Sequence, residues 1–314
     1  MTTNSDTGSV FTARKFTDWA TVKEALMSKK IGASFILAPM AMQLVADGVP
    51  VKIVYLGHRD GSAIVVGKDS NIQTFEDLRG KVVAVPNRFA NQNLLLRKMM
   101  RERGMPFDSI ETRDVPPPEH PTALQAGAVD AFIVGEPFCA KAEMDGVGRV
   151  LYFTKDIWPG FISCVLVVHD DFIREQPELV SELVSGISKS GLWLDESMDN
   201  RFDASHVVGT HFYFQKPQLL QWVLSRPVDR VTYGDLKPLR ENFDEIMDLA
   251  FDTGILPRRL AFEEYVDTSF VPVGERKAWG LEALSLTEEA ARLRLEPNVA
   301  PDLEKPTLPQ KTPR

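Results

Sequence analysis

The chain has 314 residues, 44% of them apolar and 25% charged, with a formal net charge of -8. That length and composition support one large or two ordinary domains with a proper core and exclude wholesale disorder. The acidic balance argues against a nucleic-acid binder, which carries a basic stripe or excess. No stretch approaches the roughly 20 apolar residues that span a bilayer. Met1 to Gly8 has no basic or apolar signal-peptide region, so the sequence as written points to a cytoplasmic start or to a start that lies further upstream. The two cysteines, Cys139 and Cys164, belong to no CxxC or Cys/His cluster. They fit two buried free thiols, and one disulfide would require an oxidising compartment and suitable geometry.

In chain order, Trp19, Val22 and Leu26 fall at i, i+3 and i+7 and predict an amphipathic helix. Val51–Leu56, Ala63–Val66, Val82–Val85, Ala131–Val134 and Ile162–Val168 are Val- and Ile-rich with little polar alternation, and predict strands of a parallel sheet buried on both faces. Leu95 and Met99 share a helix face, with Arg97, Lys98, Arg101 and Arg103 elsewhere on the same helix, most simply solvated. Strand–helix alternation of this kind predicts an α/β fold with right-handed crossovers. Beyond Pro177 the signals are helical, beginning with Val180, Leu183, Val184 and Ile187. Residues 273–314 form a C-terminal extension whose prolines and charges predict disorder at its end.

The sequence also echoes itself. Ala25-Leu26 leads through Ile31–Leu37 to Ala38-Pro39, and at the same offset Ala123-Leu124 leads through Val129–Gly135 to Glu136-Pro137. Each copy reads as helix end, turn, buried strand, then a proline, which favours a helix's first turn. Ligands of open α/β sheets bind beyond the carboxyl ends of strands, where helix N-termini also favour anions. Two such units suggest two lobes facing each other.

At these residues the chain resembles the solute-binding proteins of nitrate, bicarbonate, sulfonate and taurine ABC importers. The match runs from about Phe16 to Phe270 through Phe35–Met40, Thr74–Val85, Val115–Pro118, Ala128–Phe138, Asp156–Trp158 and Asp170–Phe172. The resemblance implies a two-lobed type II periplasmic-binding-protein fold with three-layer αβα lobes. Lobe I would hold residues 9–68 and 165–272, lobe II residues 69–164, with hinge strands near Ala63–Val66 and Ser163–Val167. It also implies that lobe I lacks its first strand and helix, the chain starting near the second strand at about Ser9 to Thr12. A vacant central sheet position would then expose a hydrogen-bonding edge and lead to reduced stability or dimerisation.

Carried over residue by residue, the resemblance implies a ligand cleft lined by Ala38, Pro39 and Met40, by Gly61 and Ser62, by Arg88, Phe89, Ala90 and Asn91 with Asn87 beside them, and by Glu136, Phe138 and Trp158 with Pro137. The histidine expected after Pro86 is missing, and Glu136 stands where nitrate binders tend to carry lysine and bicarbonate binders glutamate, so nitrate itself is disfavoured. Arg88 reads equally as a carboxylate or sulfonate clamp and as a solvated loop residue. Glu136 reads as a first-turn glutamate, or as a cation ligand, the one candidate for a metal contact. Trp158 reads as a pocket wall or a core anchor.

The five histidines, His58, His120, His169, His206 and His211, are scattered, and no GxSxG or Walker-type loop occurs. The implied function is capture of a small solute (a sulfonate, carboxylate, bicarbonate-like anion or similar molecule) by hinge closure, without catalysis or cofactor, for delivery to an ABC permease and ATPase. The resemblance implies a periplasmic location or one on the outer face of the membrane, with membrane contact through the importer only. Two alternatives share the fold. One is an enzyme like the thiamine-pyrimidine synthases, whose cysteine-rich iron motif is missing here. The other is a cytoplasmic ligand-sensing domain.

Overall fold

The computed structural model describes residues 11–210, 215–234 and 236–272. Ser9, Val10, His211 and the extension 273–314 lie outside the described residues, and Phe11 and Thr12 carry no strand. The elements run α1 (Trp19–Met27), β1 (Ala33–Leu37), α2 (Ala38–Ala46), β2 (Val51–Leu56), β3 (Arg59–Asp60), β4 (Ser62–Gly67), β5 (Val82–Val85), α3 (Asn91–Glu102), β6 (Glu111–Asp114), α4 (His120–Gln125), β7 (Ala131–Gly135), α5 (Phe138–Met144), β8 (Gly148–Phe153), α6 (Thr154–Ile157) and β9 (Cys164–His169). Then follow α7 (Asp170–Glu175), α8 (Pro177–Glu196), α9 (Met198–Val208), α10 (Pro217–Ser225), β10 (Val231–Thr232), α11 (Arg240–Asp252) and α12 (Phe262–Tyr265). Helix α1 starts where the Asp18 carboxylate accepts the Thr21 amide at 2.8 Å, satisfying one of the orphan donors of the first turn. Among the described residues no helix is long and apolar enough to cross a membrane.

Two main sheets result. One is three-stranded, ordered β1-β9-β2, and the other five-stranded, ordered β6-β5-β7-β4-β8. The expectation of parallel sheets is corrected here. Strand β9 runs antiparallel to both β1 and β2, and β4 runs antiparallel to both β7 and β8, so among the strands of the described residues only β6-β5-β7 is parallel. Runs of Val and Ile report burial on both faces, not strand direction. In the three-stranded sheet β9 is hydrogen-bonded on both sides, and among the described residues β1 is paired on one side, leaving an edge at which Phe35 is exposed.

Each sheet has its own core. Along β4, Ile64 and Val66 pack with Leu95, Leu96, Met99 and Met100 of α3, whereas Ala63 and Val65 pack on the opposite face with Leu124 of α4 and Cys139 and Ala142 of α5. Strict alternation along one strand therefore builds three layers. The three-stranded sheet buries Ile36, Ile53, Val165 and Val167 with residues of α2, α8, α11 and α12. Among the described residues, strand β4 pairs with β7 and β8 and lies in the five-stranded sheet. Helix α10, expected in the first lobe, packs Leu219 and Val223 against Ala140 of α5.

Gly191, inside the long helix α8, lets the chain at Tyr233 pass close by. A Cβ there would meet the Tyr233 carbonyl oxygen at 2.5 Å. Gly191→Ala should therefore destabilise the protein by about 1–3 kcal/mol, despite alanine's better helix propensity. Urea unfolding is the check, and a stability equal to or above wild type would contradict this packing.

Candidate functional site

The two sheets are joined where residues 57–61 cross residues 160–164. Gly57 N donates to Cys164 O at 2.9 Å, Asp60 N donates to Phe161 O at 2.7 Å, and the Asp60 carboxylate accepts the Phe161 amide at 3.1 Å. A left-handed pair, Asp60 at φ 61° and Gly61 at φ 71°, turns the chain from β3 into β4. Both residue types tolerate that region, glycine freely and aspartate by local hydrogen bonding. A Cβ on Gly61 would crowd Val231 at 3.0 Å and His58 Nδ1 at 3.2 Å. Gly61 N donates to Arg230 O at 2.7 Å, and Gly61 O accepts from Glu136 N at 2.8 Å. One residue thus ties the crossing to β7 and to the turn before β10.

Beside this crossing lies a cavity of about 710 Å³. Its walls come from Phe16, Trp19 and Val22 at the start of the described chain, His58 and Gly61 at the crossing, and Pro117, Pro118, Glu136, Pro137 and Phe138 of the five-stranded lobe. The far wall is Leu194, Ala204, Ser205, Leu220, Val223, Val231 and Tyr233 from α8 to just past β10. The Asp195 carboxylate holds the Tyr233 and Gly234 amides, each at 2.6 Å, which fixes that wall.

Glu136 lines the cavity, its carboxylate engaged by the protein. It accepts from Arg230 Nε at 2.5 Å and from Ala140 N at 3.0 Å, while Arg230 also reaches Glu143 at 2.7 Å and Arg226 O at 2.8 Å. Burial pushes the Glu136 carboxyl up from its usual range, opposed by the Arg230 charge. The Arg230 guanidinium, itself buried, is held charged by its two carboxylates. Arg88, weighed from the sequence as a carboxylate or sulfonate clamp or a solvated loop residue, is exposed and lies over the Phe89 ring at 4.7 Å. Burial pushes the His58 imidazole down, so it is neutral near pH 7, and its ring stands 6.4 Å from that of Tyr233.

Of the expected ligand residues, the structure brings Gly61, Glu136, Pro137 and Phe138 onto the cavity. Ala38, Pro39 and Met40 begin α2 as the echo implied, and Met40 packs with Ala90, Phe89 and Trp19 in a cluster adjoining the cavity through Trp19. Pro137, by contrast, precedes α5 after a cis peptide bond. Ser62 and Asn91 are structural partners of the crossing. Gln92 Nε2 donates to the Ser62 and Ser163 hydroxyls at 3.0 Å each, and the Asn91 amide donates to Ile162 O. Asn87 accepts the Phe89 amide at 2.9 Å within its own loop. Trp158 lies at the seam between the two cores, edge-on to Phe161 and under Lys98 Nζ at 5.6 Å, away from the cavity. Trp19, His58, Tyr233 and the α9–α10 wall were not anticipated. Trp19 and Val22 were legible as one apolar helix face; Val22 joins the core of the three-stranded sheet with Leu26, and both Trp19 and Val22 also line the cavity.

The sequence pattern of the NMT1-like family matches residues 2–209. Among characterised proteins, the chain is 26% identical over 196 residues to the nitrate import ATP-binding protein NrtC of Synechocystis sp., covering 57% of this chain and 29% of that protein. It is 22% identical over 244 residues to the nitrate/nitrite binding protein NrtA of Nostoc sp., covering 72% of this chain and 54% of that one. The chain thus spans only part of the length of these relatives. In structure it resembles the ligand-binding component of an ABC-type import system from Staphylococcus aureus, with a TM-score of 0.75 and 24% identity, covering 84% of this chain and 88% of that one. The fold is therefore that of two-lobed binding proteins. With the family's pattern running through both sheets and into the helices that wall the cavity, the chain belongs to the NMT1-like family.

Proposed function

We propose that this chain is a non-catalytic solute-binding protein that captures a small organic or inorganic solute between two lobes and presents it to an ABC importer at the outer face of a membrane. The lobes divide at the crossing, about residues 57–61 and 160–164, with the five-stranded sheet in one and the three-stranded sheet with most of the C-terminal helices in the other. The observation that carries this reading is the cavity of about 710 Å³ beside that crossing, walled from both sides. Its size falls in the range that buries small ligands, and a crossing of two segments is where hinge closure can act. The relatives support the same reading, since their names speak of import and of nitrate binding. Glu136 and Phe138 would face the solute, with Met40, Phe89 and Ala90 closing the adjoining side.

Calorimetric titration against a library of small solutes is the test. At least one should bind with micromolar affinity, and Leu220→Trp, which fills the cavity, should weaken it at least tenfold. Binding unaffected by that plug would place the site elsewhere.

A further inference from the structure

Taking the cavity as the solute site, as argued above, we propose that its solute is an uncharged, mostly apolar molecule with a ring and one hydrogen-bond acceptor, and not an inorganic oxyanion. Size is the first argument. A three-oxygen anion occupies about the space of two waters, roughly 60 Å³ at ~30 Å³ each. In a cavity of about 710 Å³ it would leave most of the wall unfilled. The walls are the second argument: the rings of Phe16, Trp19, Phe138 and Tyr233 and the side chains of Leu220 and Val223 offer dispersion contact and stacking faces.

Charge is the third. The ionisable side chains at the cavity include Lys15, Asp18 and Glu136, and the guanidinium behind Glu136 is shared between two carboxylates, Glu136 and Glu143. This set is acidic on balance, and a desolvated anion placed there would be repelled. The fourth argument is an unmet donor. Trp19 Nε1 is buried without a hydrogen-bond partner, and an indole N–H can only donate. A buried donor left unsatisfied costs about 1–3 kcal/mol, so an acceptor on the solute recovers part of that.

The test titrates the protein calorimetrically with quinoline, coumarin and benzamide, and separately with sodium nitrate, bicarbonate and ethanesulfonate. The neutral ring compounds are expected to bind tighter than about 1 mM and the three anions not to bind measurably. Trp19→Phe, which keeps a ring but loses the N–H, should weaken ring binding about 3- to 10-fold, and Leu220→Trp or, should that variant misfold, Val223→Phe should abolish it. If the anions bind and the rings do not, and the plug abolishes anion binding, the solute-binding reading stands and this inference falls. If rings bind equally well to Trp19→Phe, the acceptor requirement falls. If none of the six compounds binds, the inference falls, and failure of the wider library takes the solute-binding reading with it.

Discussion

Arg230→Met is expected to cost about 3–5 kcal/mol of folding stability, the toll for breaking a buried ion pair from one side. The guanidinium is 2% exposed and reaches Glu136, Glu143 and the Arg226 carbonyl at 2.5, 2.7 and 2.8 Å. Methionine fills much of the volume but leaves Glu136 buried beside a single backbone amide. Burial already pushes the Glu136 carboxyl up, and removing the opposing charge pushes it further. A carboxyl whose folded pKa is raised favours folding below its unfolded pKa and loses that contribution as pH rises through the folded pKa. The variant's deficit should therefore be larger at pH 8 than at pH 5, and Glu136→Gln added to it should recover part of the loss at pH 8. Urea unfolding at the two pH values is the measurement. A deficit under about 1 kcal/mol at pH 8 would mean that the pair does not hold α5 to the turn before β10.

Asp60→Asn is expected to stabilise the protein above pH 6. Burial pushes the Asp60 carboxyl from 3.8 up to about 6, against the pull of the Phe161 amide and the Arg59 charge. By the same linkage, wild-type stability falls as pH rises from about 4 to about 6, by up to about 3 kcal/mol at 1.36 kcal/mol per unit. Asparagine keeps an acceptor for the Phe161 amide and tolerates the φ of 61°. Arg59 retains the Gly160 and Lys237 carbonyls and the Asn242 side chain as acceptors. The variant should gain about 1–3 kcal/mol at pH 8 and converge on wild type below pH 4. A variant less stable than wild type at pH 8 would show that the charge itself holds the crossing together.

Much of this architecture was legible in the residues. Val51–Leu56 and Val82–Val85 form strands over those spans, and the helices expected around Trp19, Leu95 and Val180 are α1, α3 and α8. Composition marks such elements because β-branched runs suit a pleated, buried surface and amphipathic spacing suits a helix. The edge strand β6, Glu111–Asp114, was missed because its residues are polar and mostly exposed and it pairs on one side only, with β5. Direction was missed too. Nothing in Cys164–His169 distinguishes a strand inserted antiparallel between β1 and β2 from one added in parallel.

The resemblance puts Gly61 and Glu136–Phe138 in the expected cleft, and these residues line the cavity. The site was illegible where it depends on distance. Arg230 finds Glu136 across 94 residues of sequence, and no spacing announces that pairing. Likewise Tyr233 reaches the cavity only because Gly191 and Asp195 of α8 seat it there.

Small-angle scattering with and without a bound solute tests the central claim most directly. A solute-binding protein of this construction should become more compact on binding, with a smaller radius of gyration, and Leu220→Trp should show no change on adding the same solute. A solute that binds in the cavity while the scattering curve stays unchanged would contradict capture by closure of two lobes.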